Sequence, residues 1–187
     1  MIKKILITGF EPFDNDTTNP SADWINWMKG KEPRDREIRG EILPVTFQGG
    51  FESFKKSYDE FLPDIVILTG LAKNRSTLTV ERIGINWVDA RIPDNNGMKI
   101  NSQKILADGP DGLFTTVDIE KIITLAAKKE IVVKLSTSAG EYVCNDLLYK
   151  ALCYTQNKKS QVTFIHIPGL DNYDGTYLAL EAIVNGL

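Results

Sequence analysis

The sequence predicts an α/β fold in which an open, largely parallel (mixed) central sheet is covered by helices. Short β-branched apolar runs alternate with amphipathic helical stretches from one end of the chain to the other, the signature of successive β and α units. The run Ile65–Thr69 is continuously apolar, as expected of a strand buried on both faces. No low-complexity linker or internal repeat divides the 187 residues, so residues 1–187 read as a single domain large enough for a substantial core.

The elements follow in order. Lys3–Thr8 is a strand that ends in Gly9-Phe10-Glu11-Pro12-Phe13. Ser21 is placed to cap a helix reaching Lys29, with Gly30 as its stop. Glu37–Phe47 reads as extended, and Phe51, Phe54, Tyr58 and Phe61 then recur at helical spacing. Pro63-Asp64 introduces the strand Ile65–Thr69, and Leu78–Val88 reads as one further strand. Arg91–Pro110 is rich in turn formers. Asp118 caps a helix whose last residues, Lys128-Lys129, suit the negative end of a helix dipole. Ile131–Ser136 is a strand, Cys144–Gln156 a helix, Val162–Ile167 a strand and Asp171–Val184 a closing helix.

Composition narrows the function. Net charge is −3 and the pI about 5.3, with Lys and Arg scattered, which argues against nucleic-acid partners and anionic membrane surfaces. The apolar start at Ile5-Leu6-Ile7 is too short for a secretion signal, and no stretch approaches the ~20 apolar residues of a membrane span. Two cysteines in this setting point to a reducing cytoplasm. One histidine and two cysteines are too few soft ligands for an ordinary zinc site. No phosphate- or dinucleotide-binding glycine pattern occurs, so neither metal nor cofactor is expected.

The residues able to do chemistry centre on Cys144. A cysteine is nucleophilic only as thiolate and needs a base or a positive potential beside it. His166 is the single histidine and so the only imidazole available. Cys144 stands at the expected start of a helix, where the dipole would lower its pKa. Leu148, Ala151 and Leu152 follow at i+4, i+7 and i+8, so the thiol faces inward. Cys153 is ~13 Å further along the axis and out of phase, which leaves it structural or surface. His166 lies near the carboxyl end of its strand, where open α/β sheets present functional groups.

Glu81 is the candidate to orient His166, since alternation puts it on one face with Ile83 and Ile85, and a carboxylate there needs a partner. Glu81 can equally pair structurally with Arg82 or Arg91. Buried packing of Cys144 and a satisfied core histidine are the ordinary alternatives for the other two.

The chain resembles the pyroglutamyl peptidase I (pyrrolidone-carboxylate peptidase) family of cysteine peptidases. The resemblance is carried by Gly9-Phe10-Glu11-Pro12-Phe13, Asn19-Pro20, Gly70, Ala72, Arg75, Glu81-Arg82 and Asp89-Ala90-Arg91-Ile92-Pro93-Asp94-Asn95. It continues through Ser138-Ala139-Gly140, Tyr142-Val143-Cys144-Asn145 and Phe164-Ile165-His166-Ile167-Pro168. These run in family order over nearly the whole chain.

The resemblance implies a three-layer sandwich with a twisted mixed sheet, phosphorylase/hydrolase-like. It places Glu81, Cys144 and His166 on a catalytic triad that removes N-terminal pyroglutamate from peptides. It further implies Arg91 as oxyanion support, Phe10, Phe13 and Tyr142 as substrate-binding residues, no cofactor, and a homo-oligomer, dimer or tetramer.

The chain departs from the family pattern at Leu71, often Gln, at Asn74, usually Gly, at Gly169, commonly bulky, and in a shorter C-terminal region. Asn74 still tolerates a left-handed turn. Other readings weighed are a non-catalytic pyroglutamyl-binding homologue, a redox-sensing thiol protein and a glutamine-amidotransferase-like hydrolase. The last needs glycines two residues either side of its cysteine, where this chain has Tyr142 and Asp146.

Overall fold

The computed structural model describes residues 2–31, 33 and 35–187. Its core is a six-stranded sheet in the order β2-β1-β3-β8-β4-β7. The strands are β1 (Lys3–Phe10), β2 (Arg36–Leu43), β3 (Ile65–Ala72), β4 (Leu78–Glu81), β7 (Val133–Ser136) and β8 (Gln161–Pro168). Every neighbouring pair is parallel except β4 against β8. The five helices are α1 (Pro20–Met28), α2 (Gly49–Phe61), α3 (Ile119–Ala127), α4 (Val143–Thr155) and α5 (Asp174–Gly186).

Strand alternation sorts the core into two sets. Ile5, Ile7, Ile65, Ile67, Val80 and Ile165 face α1, α3 and α5, meeting Trp24, Ile122 and Leu180. Leu6, Val66, Leu68, Val162 and Phe164 face α2 and α4, meeting Phe54, Tyr58, Leu148 and Leu152. The result is the mixed, mostly parallel three-layer sandwich. Each fully buried Leu, Ile or Phe contributes roughly 1.5–3 kcal/mol of transfer free energy, which favours this double-sided cover.

Several local expectations change. Asn19, not Ser21, caps α1: its Oδ1 accepts from the Ser21 N–H at 3.1 Å, and Pro20 takes the first helical position. Ser21 instead turns back on the sheet, its Oγ accepting from the Phe10 N–H at 2.9 Å. The extended segment after Arg36 stops at Leu43, because Thr46 N–H turns to Pro44 O.

The single strand expected over Leu78–Val88 is two. After Glu81 the chain leaves the sheet: Arg82 donates to Ser136 O, its carbonyl accepts from Thr115 N–H, and β5 (Ile83–Ile85) pairs with β6 (Gly112–Phe114) in a separate ribbon. Gly84 makes this course possible, since a Cβ there would lie 3.0 Å from the backbone nitrogen of Tyr149 on α4. Among the described residues no helix is long and apolar enough to cross a membrane.

Candidate active site

The sheet lays out the site as a row. His166 pairs with Gly70 on β3 and with Thr79 on β4, so all three face the α2/α4 side together. The β1–β3 register, continued two residues beyond Thr8–Leu68, sets Phe10 beside Gly70. Glu81, two residues past Thr79, returns to this face diagonally from His166. The row therefore reads aromatic wall, bare backbone, imidazole, carboxylate.

Cys144 descends onto that bare backbone from α4. It occupies the second helical position after Tyr142, where backbone N–H groups have no acceptor within the helix. Its Sγ would lie 3.0 Å from a Cβ on Gly70, as would Phe164 Cζ, with Phe10 Cδ2 at 3.5 Å. Asn145 locks this helix start in place. Its Oδ1 accepts from Ile85 N–H at 3.0 Å and its Nδ2 donates to the carbonyls of Ile85 and Trp87, each at 2.9 Å.

His166 Nδ1 and Glu81 Oε1 are 2.7 Å apart, with Glu81 wholly buried. The carboxylate accepts the Nδ1–H, which fixes the tautomer and leaves Nε2 as the basic nitrogen. Glu81 does not pair with Arg82 or Arg91. Its cation is Arg75, whose Nη1 lies 2.5 Å from Oε1. The one-face alternation expected for Glu81 with Ile83 and Ile85 fails because the strand ends at Glu81.

Burial pushes the Cys144 thiol up to about 12, and the Glu81 charge acts the same way, while Arg75 and the backbone N–H act against it. The helix N-terminus was expected to lower this pKa, but taking the sulfur out of water outweighs the dipole. Burial also lowers the His166 pKa, against the upward pull of Glu81. For Glu81 burial acts upward, yet the hydrogen bond and charge of His166, helped by the Ser136 hydroxyl and then by Arg75, hold its carboxyl below the usual range. Both directions favour a neutral thiol and a neutral imidazole.

Cys144 and His166 open into one cavity of about 320 Å³, walled by Phe10, Phe13, Val45, Tyr142 and Val143 and closed on the far side by Leu71 through Arg75 and Ser138 through Gly140. Phe13 and Tyr142 stand 6.4 Å apart by ring centroid, and Phe47 packs edge-on to Tyr142 at 5.4 Å. Tyr142 donates to Pro93 O at 2.9 Å, with its phenol pushed up to about 12 by burial first and Asp94 second.

Arg91 is exposed and does not line the cavity. Cys153 is half-buried on another groove with Phe51 and Tyr154. Asn74 lies among the cavity residues without a left-handed backbone, which among non-glycine described residues belongs to Asp14, Leu62 and Glu130. Gly169 is exposed outside the cavity.

Sequence reasoning gave no roles to the residues that hold the wall. Asp94 accepts from the N–H groups of Phe47 (3.0 Å), Asn96 (2.9 Å) and Met98 (2.8 Å). Glu11 Oε1 accepts from Val45 N–H (3.2 Å) and Asn95 Nδ2 (2.9 Å), which joins the Phe10–Phe13 loop to the Asp94–Asn95 turn. The available signal was their shared membership of motif stretches far apart in sequence.

Residues 3–181 match the family model described as Pyroglutamyl peptidase. The pyrrolidone-carboxylate peptidase of Pyrococcus furiosus is 39% identical over 167 residues, covering 88% of this chain and 80% of the relative. That of Vibrio campbellii is 36% identical over 190 residues, covering 100% and 90%. The crystal structure of the Pyrococcus furiosus pyrrolidone carboxyl peptidase superposes with a TM-score of 0.93 at 33% identity, covering 97% of this chain and 96% of that one. The pyroglutamyl peptidase I structure from Bacillus amyloliquefaciens gives 0.94 at 32% identity, covering 100% and 95%.

Proposed function

Because the chain belongs to the pyroglutamyl peptidase family, we propose that it is a cysteine exopeptidase that removes N-terminal pyroglutamate from peptides. The observation that carries this reading is a thiol at a helix N-terminus and a carboxylate-held imidazole opening into one aromatic-walled cavity. An uncharged lactam ring suits such a slot, bounded by Phe10, Phe13 and Tyr142.

With thiol and imidazole both neutral at rest, His166 Nε2 takes the Cys144 proton as sulfur attacks the pyroglutamyl carbonyl. The imidazolium so formed is stabilised by the buried Glu81 carboxylate. The oxyanion is met by the backbone N–H of Cys144 at the start of α4. His166 then protonates the leaving amine, and water, deprotonated by the same imidazole, hydrolyses the thioester. Two free cysteines on one helix accord with a reducing cytoplasm, and assembly as a homo-oligomer, dimer or tetramer, extends the reading.

The test is hydrolysis of pyroglutamyl-aminocoumarin by wild type and Cys144→Ser, with the prolyl analogue as control. Turnover that requires the lactam carbonyl and falls at least about 1,000-fold in the variant is expected. Tight lactam binding without turnover in reduced protein would instead identify a non-catalytic pyroglutamyl-binding homologue.

A further inference from the structure

Arg75 arrives from the β3–β4 connection, outside the set of residues that react, and it touches both halves of the site. Nη1 contacts Glu81 Oε1 at 2.5 Å and also Thr79 Oγ1, while Nη2 donates to the carbonyl of Ser138 at 2.9 Å. Thr79 and Glu81 share the His166 face of β4. Ser138 opens the Ser138-Ala139-Gly140 loop that forms the cavity rim and leads into α4 and Cys144.

We propose that Arg75 is a positioning residue whose planar fork fixes the Glu81 carboxylate against His166 with one nitrogen and the loop before Cys144 with the other. The inference rests on the triad reading above and adds a residue to it.

The chemistry of a buried carboxylate supports this. Glu81 is fully buried and its Oε2 has no hydrogen-bond partner, so the hydrogen bonds from His166 and Arg75 both fall on Oε1. Ser136, opposite Glu81 in the β4–β7 register, also helps hold that carboxyl down, but it carries no charge and its hydroxyl donates to the Ser138 carbonyl at 3.1 Å. Arg75 is therefore the one cation hydrogen-bonded to this carboxylate among the described residues. A lysine carries the same charge on a single nitrogen and lacks the rigid two-armed geometry that reaches Glu81 and Ser138 together.

The groups facing His166 are Glu81 on β4, Arg75 from the β3–β4 connection and Cys144 on α4; β3 presents Gly70, and β8 itself Phe164. Removing Arg75 leaves the Glu81 charge uncompensated beside the ring. The imidazolium then gains stability, and His166 gives up its proton only at higher pH.

The experiment compares wild type, Arg75→Gln, Arg75→Lys, Glu81→Gln and the Arg75→Gln/Glu81→Gln double variant. Steady-state kinetics on pyroglutamyl-aminocoumarin are followed across pH, with thermal unfolding in parallel. Arg75→Gln should lower kcat about 10- to 100-fold with KM within about 3-fold, and move the acid limb of kcat/KM to higher pH. Arg75→Lys should restore the limb but not the full kcat. In the Glu81→Gln background, loss of Arg75 should cost no more than about 3-fold further.

Equal costs in both backgrounds, or a raised KM with an unmoved limb, overturn the proposal. If Arg75→Gln does not fold, Arg75→Lys decides it through kcat, since full wild-type kcat with lysine would exclude any need for the fork. A readout independent of turnover is the pH profile of Cys144 alkylation by iodoacetamide in a Cys153→Ser background. If wild type shows no peptidase activity but this profile moves with Arg75, the activity reading fails and Arg75 keeps its role. An alkylation profile indifferent to Arg75 overturns it.

Discussion

Gly70 owes its importance to what it lacks. A methyl group there would sit 3.0 Å from Cys144 Sγ and 3.0 Å from Phe164 Cζ, closer than side-chain contacts ordinarily come. Gly70→Ala therefore has to displace either the nucleophile or the ring beneath it. We expect kcat/KM to fall about 10- to 100-fold, with about 1–3 kcal/mol of stability lost to overpacking. Kinetics beside a chemical unfolding curve check this, and a destabilised variant with unimpaired kcat/KM would show that the sulfur is not what moves. At this scale Cys144 and His166 were legible because the chain has one histidine and one cysteine at a helix start. The cation for Glu81 was not: the pattern pointed to Arg82 and Arg91, and only the turn between β3 and β4 brings Arg75 round. The direction of the Cys144 pKa was misread for a related reason, since sequence shows the helix end but not the depth at which the sulfur is buried.

Helix α4 is held at the end that matters. Asn145, fully buried, satisfies one backbone N–H and two carbonyls on the segment leaving β5, immediately beside Cys144. Asn145→Ala strands those groups, and a loss of about 1–3 kcal/mol is expected. Urea unfolding of wild type and variant measures it, and a change below about 0.5 kcal/mol would mean that water replaces the amide without cost. Helix existence was readable from periodicity for α2 and from an acidic cap for α3. The α1 cap was assigned two residues late, because Asn19-Pro20 and Ser21 all suit a helix start and the choice depends on Phe10 claiming the Ser21 hydroxyl. The continuous strand over Leu78–Val88 misled because β-branched content says nothing about which sheet a residue joins. That break is also what makes Glu81 the end of its strand.

Stability of the whole molecule carries a signature of Asp146. Burial raises its carboxyl to about 6, with Lys150, 2.8 Å away, pulling in the opposite direction. The unfolded chain gives up this proton near pH ~4, so between ~4 and ~6 the native state holds a proton that the unfolded state has lost. The group's contribution is fully present below ~4 and is lost as pH rises through about 6. Wild type should thus lose about 2–3 kcal/mol relative to Asp146→Asn between pH 4 and 7. Unfolding curves for both across that range test it, and a constant difference would refute it. The order of the sheet has a further consequence, for synthesis. Strand β8 is the last to be made, yet it lies in the middle, between β3 and β4. Until residues 161–168 are made, the strand that joins β2-β1-β3 to β4-β7 is missing, and Gly70 and Glu81 have no His166 between them. Cys144 is made 22 residues before His166, so over that stretch of synthesis the nascent chain holds its cysteine with no imidazole to meet it, and the imidazole arrives with the strand that closes the fold.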